Sequence, residues 1–143
     1  MSAGVADRKE AVLVKALEAV FTGDRTSLPD VFAVDVVGWS PNFSVNSREE
    51  LEDEFEENDS ALSNVAFSVD TLDLVGDKAI AEWRVAADHS GPLLISDDLL
   101  LEPTGRRVVL AGATFAEFRG DRICAFRSYF DDAAIVEQLL FEC

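Results

Sequence analysis

The stretch VAFSVDTLDLVGDKAIAEWRVAAD, residues 65–88, decides the fold. Val65, Phe67 and Val69 alternate with smaller or polar residues, the period of a strand with one buried face. Leu72 and Leu74 continue that alternation one step out of phase, which predicts a bulge near Asp70. Gly76-Asp77 then turns the chain into a second strand over Lys78–Asp88. Towards the C-terminus the pattern repeats in Arg106–Phe118 and Arg122–Phe130, separated by Gly120-Asp121, a further hairpin signal.

The N-terminal part has a different period. From Asp7 to Phe21, Val12, Ala16, Ala19 and Val20 recur at helical spacing, with Leu13 and Leu17 widening the stripe. Gly23-Asp24 closes this helix. Ser27 opens a short helix holding Leu28, Val31 and Phe32, with Pro29 in its first turn, and Val36 to Trp39 reads as a short strand before Pro41. Ser47-Arg48-Glu49-Glu50 is a capping box, and its helix carries Leu51 and Phe55 on an acidic surface. Asp131 to Leu140 reads as a terminal amphipathic helix or turn. Helices first, then long strands joined by tight turns, predict an α+β domain: a curved antiparallel sheet with helices on one face. No repeat, linker or low-complexity tract divides residues 1–143.

The 143 residues, 48% hydrophobic with ten Phe, suffice for one self-standing core. Twelve basic against 28 acidic residues give a net charge of −16. That excludes a general nucleic-acid backbone binder, which needs clustered Lys and Arg, and disfavours anionic membranes. Only Lys9, Lys15 and Lys78 are lysines, and an acid-rich, lysine-poor chain with an ordinary core resembles proteins of salt-loving archaea. Eight of the eleven residues from Glu49 to Asp59 are acidic; without calcium-loop spacing this is a solvated face. Cys124 and Cys143 make neither a disulfide framework nor a zinc set. The start of the chain lacks signal-peptide features and no apolar run reaches membrane-span length, so a cytoplasmic location is expected. The turn around Gly105 has neither the glycine spacing nor the Lys of a phosphate loop.

Several segments together resemble the SnoaL-like polyketide cyclases of the nuclear-transport-factor-2-like superfamily. They are Phe21-Thr22-Gly23-Asp24, Val31-Phe32 with Asp35-Val36-Val37, His89-Ser90-Gly91, Glu102-Pro103-Thr104-Gly105-Arg106-Arg107-Val108, Gly120-Asp121-Arg122-Ile123, Arg127-Ser128-Tyr129-Phe130-Asp131 and Glu137-Gln138-Leu139. The resemblance implies a cone, in which sheet and helices enclose an apolar cavity for a small hydrophobic or polycyclic molecule. It also implies a homodimer through the outer sheet face and a cofactor-independent cyclase or isomerase.

The resemblance makes Asp131 the acid/base for proton transfer next to a carbonyl, and an apolar cone would suit it by raising its pKa. Asp131 or Asp132 is equally read as the N-cap of the last helix. Period two puts Arg127, Tyr129 and Asp131 on one face. His89, the only histidine, falls where the family often has His-x-Gly and is a second acid/base candidate or a locally bonded loop residue; alone it makes no metal site. Trp83 and Arg84 point to opposite faces of one strand, so one of them faces the cavity if that strand is central. Trp39 and Phe43 supply aromatic wall near its entrance or simply core. Leu93-Leu94-Ile95 and Leu99-Leu100-Leu101, around Asp97-Asp98, are strands, a lid or a dimer contact. A non-catalytic ligand-binding or dimeric accessory domain is the alternative function. Limonene epoxide hydrolases resemble the same ending, but Ala86 stands where their Asp-Arg-Asp set needs an acid.

Overall fold

The computed structural model describes residues 2–41, 43–57, 61–96 and 99–140; Asp59, Asp97, Asp98 and Cys143 lie outside them. Helix α1 (Ser2–Thr22) buries Leu13, Ala16, Leu17 and Ala19 along one stripe. Gly23 ends it at φ 74°, returning its N–H to the Ala19 carbonyl at 2.8 Å, the left-handed turn that glycine adopts without strain. Ser27 makes no side-chain cap on α2 (Leu28–Val31). Asp24 takes that role one turn earlier, accepting from the Thr26 N–H and from the Thr26 and Ser27 hydroxyls. These bonds, Thr26's first, hold its carboxyl below the ordinary aspartate range. Helix α3 (Arg48–Glu57) begins on the predicted box: the Ser47 hydroxyl accepts the Glu50 N–H at 3.1 Å. The Glu50 carboxylate reaches back to the Asn46 N–H, one residue earlier than a standard box.

Six strands form the main sheet in the order β2 (Ser44–Val45), β1 (Phe32–Trp39), β8 (Arg122–Phe130), β7 (Arg107–Arg119), β4 (Lys78–His89), β3 (Leu62–Val75). Neighbours are antiparallel except β1 and β8. The curved antiparallel sheet is as expected, with one parallel pair, since strands from opposite ends of the chain have no hairpin to fix their direction. The β3–β4 register slips between Val69 and Thr71, across Asp70 as predicted, with a second slip between Ser63 and Ala66. Bulges bend a strand and sharpen its twist, and the sheet is curved and unclosed.

Alternation along β4 buries Ala79, Ala81, Trp83, Val85, Ala87 and His89 on one face. Val65, Phe67, Val69, Leu72 and Leu74 of β3 and Val12, Val20 and Phe21 of α1 pack against the same core. Lys9 ties α1 to the β3–β4 turn by an ion pair with Asp77 at 2.8 Å, which lowers the Asp77 pKa. The leucine-rich segment proves to be two strands, β5 (Leu93–Ser96) and β6 (Leu99–Leu101), paired as a separate hairpin. Leu101 is buried with Val108 and Leu139, the last from α4 (Asp132–Leu140), and Leu62 and Leu93 pack against them. No described helix is long and apolar enough to cross a membrane.

Candidate functional site

The inner face of β4 carries two large ring side chains in different surroundings. Trp83 is 1% exposed. Its indole lies 4.7 Å from Phe21 and 6.1 Å from Phe130, centroid to centroid. Gly112 leaves it room, since a Cβ there would come within 2.5 Å of the indole. Its single donor, Nε1, bonds the Thr114 hydroxyl at 3.0 Å, and Thr114 Oγ1 is 2.9 Å from Ser128 Oγ. Every polar atom of that group has a partner, as burial requires.

Six residues further along the same face, His89 is fully buried. Its cross-strand neighbour is Leu62, which packs against the Leu101, Val108 and Leu139 cluster. The Thr104-Gly105-Arg106 turn wraps it. The His89 N–H donates to the Arg106 carbonyl at 2.8 Å, and the Gly105 N–H donates to the His89 carbonyl at 2.9 Å. Gly105, at φ 72°, has the left-handed backbone this turn needs. The Thr104 N–H donates to Nδ1 at 3.2 Å, and the Thr104 hydroxyl is 3.0 Å from the same nitrogen. Nε2 is buried and has no hydrogen-bond partner among the described residues.

Asp131 is exposed. Its Oδ1 accepts the Ala133 N–H at 3.1 Å and its carbonyl accepts the Ala134 N–H, so it caps α4. Phe130 is level with Gly112 and Gly112 with Trp83, so Asp131 lies about five residues of strand, roughly 16 Å, and two strand spacings from His89. The structure does not bring this pair together.

Arg127 and Tyr129 share one face, as their spacing predicts, and it is the outer one. Tyr129 is 45% exposed, with Trp39 at 5.3 Å and Phe115 at 6.0 Å between ring centroids. The Arg127 guanidinium lies over the Phe115 ring. Trp39 pairs with Arg127 in register, so strand alternation puts it on this outer surface and not at a cavity entrance. Phe43 packs in the core edge-on to Phe126. Trp83 is the inward member of its pair, and Arg84 points outward in a two-bond ion pair with Asp70, which raises the arginine pKa. Asp88 is held below the ordinary range by the Asn64 amide and then by Arg107.

Thr104, Thr114 and Ser128 were not anticipated at the site. Thr114 was legible as a polar residue at an inward position between Leu110 and Ala116. Thr104 was not, because a loop residue reaching back to a histidine 15 positions earlier leaves no periodic trace. Among the described residues no cluster of three or more His, Cys, Asp or Glu could hold a metal.

Known proteins of this shape are numerous. A candidate SnoaL-like polyketide cyclase from Jannaschia sp. CCS1 superposes with a TM-score of 0.80 at 13% identity, over 96% of this chain and 94% of that one. TsrD from Streptomyces laurentii gives 0.77 at 19% identity, over 94% and 96%. A Catenulispora acidiphila protein with a ketosteroid isomerase-like fold, solved with trimethylamine, gives 0.70 at 19%, over 90% and 92%. At these identities the likeness shows the fold alone. No curated protein matches the chain. The model of the SnoaL-like polyketide cyclase family matches residues 11–139, nearly the whole chain. With that match over this curved sheet and its helices, the chain belongs to the SnoaL-like polyketide cyclase family, on the nuclear-transport-factor-2-like fold.

Proposed function

We propose that the protein binds a small, largely apolar molecule carrying a ketone or enolate oxygen, seated beside His89 at the far end of the inner sheet face. The observation that carries this reading is the buried imidazole whose Nε2 has no hydrogen-bond partner among the described residues. Leaving a buried polar group unbonded costs about 1–3 kcal/mol, and a ligand oxygen accepting from Nε2 removes that cost. The test is titration with fluorenone, an apolar tricyclic ketone, of the wild type and of His89→Leu. Affinity is expected to fall about ten- to hundredfold in the variant, the equivalent of that bond. Equal affinities would contradict the reading.

Family membership favours a second reading, proton transfer next to the bound carbonyl by Asp131, as in a cyclase or isomerase. It ranks second because the carboxylate is exposed and already caps α4. Asp131→Asn keeps the cap and removes the base, so turnover lost in a stably folded Asn variant would restore catalysis to first place. Epoxide hydrolysis has no support in the placement of Arg84, which is paired outward with Asp70.

The outer patch of Trp39, Phe115 and Tyr129 fits a second copy of this chain, since contiguous exposed aromatic surface marks association sites. Tyr129→Glu should then halve the mass seen in sedimentation, whereas a wild type that sediments as a monomer excludes the dimer.

A further inference from the structure

We propose that Thr104 is a positioning residue that fixes His89 in the Nε2–H tautomer, so that the site donates to a ligand oxygen and rejects ligands offering only a donor. This rests on the reading of His89 as the ligand contact. A backbone N–H can only donate, so the Thr104 N–H, 3.2 Å away, requires Nδ1 to present its lone pair. The Thr104 hydroxyl accepts the Arg106 N–H at 3.2 Å, which leaves its own proton to point at Nδ1. A neutral imidazole has one N–H, and with Nδ1 accepting, that proton sits on Nε2, the atom without a partner. The Arg106 and Gly105 backbone bonds to His89 hold the turn in place while this happens. Acceptor specificity therefore comes from a loop residue that need never touch the ligand.

A single histidine gives a single pair of ring nitrogens, so long-range proton–nitrogen NMR of the intact protein reads the tautomer directly. The proton is expected on Nε2 alone; a proton on Nδ1, or an even mixture of the two forms, overturns the assignment. Thr104→Val keeps the backbone donor and removes the hydroxyl. The Nδ1 resonance should move towards its unbonded position, and Thr104→Ser should return it; no movement in the Val variant refutes the hydroxyl's part. Fluorenone supplies the separate arm. If it leaves the Nε2 proton unmoved in a protein that shows the Nε2–H form, the ligand reading fails and the tautomer assignment stands.

Discussion

Trp83 and His89 lie on one strand and one face, six residues apart, and both are buried to within 1% of full cover. Their polar atoms fare differently. The indole nitrogen ends in a closed chain through Thr114 to Ser128, while the imidazole is pinned at Nδ1 and left unbonded at Nε2. Equal burial with unequal satisfaction is the contrast on which the proposed ligand-binding role of His89 rests. Unsatisfied buried groups are rare in native proteins because they cost stability, and they persist where function holds them.

The comparison is broken most severely at the aromatic end. Trp83→Ala should cost about 3–5 kcal/mol, the usual range for deleting a buried large aromatic, and chemical denaturation measures it. His89→Leu should be far milder. Removing an unbonded buried N–H offsets the loss of the Thr104 bonds to Nδ1, so stability should change by no more than about 1 kcal/mol while ketone binding weakens; a large loss of stability would instead make His89 a structural residue like Trp83. Asp131→Ala should cost about 1 kcal/mol through the lost cap, and Asp131→Asn almost nothing, with thermal melts of both variants distinguishing capping from mere exposure.

The smallest effect lies in acid. Asp24, Asp77 and Asp88 have folded pKa values below the ordinary aspartate value, through bonds from Thr26, Lys9 and Asn64 respectively. A lowered folded pKa contributes stability that is complete above the ordinary value, about 3.9, and is lost as pH falls through the folded value. The difference in melting temperature between wild type and Asp77→Asn should therefore be present at neutral pH and close below about pH 4. A gap that persists in acid would mean that the Lys9 bond does not depend on the aspartate charge.

Most of the fold was legible because it is written in local periods. The phase slip at Asp70, the Gly76-Asp77 and Gly120-Asp121 turns and the glycine stop after α1 all carry their signal within a few residues. The parallel β1–β8 pair joins opposite ends of the chain and was not legible. The same division runs through the site. Period two separated Trp83 from Arg84 and grouped Arg127 with Tyr129, yet alternation does not say which face looks inward, and Arg127, Tyr129 and Trp39 all look outward. Asp131 illustrates the limit most clearly: the residue type and position suit both a base and a cap, and only the structure shows its Oδ1 against the Ala133 N–H, the cap.

The most direct test of the central claim follows the Trp83 indole and His89 imidazole protons together by NMR while wild-type protein is titrated with fluorenone and, separately, with fluorene, its hydrocarbon counterpart. The account predicts that fluorenone moves the His89 Nε2 proton, leaves the Trp83 Nε1 proton in place, and binds more tightly than fluorene. A response at Trp83 with none at His89, or equal binding of ketone and hydrocarbon, would contradict it.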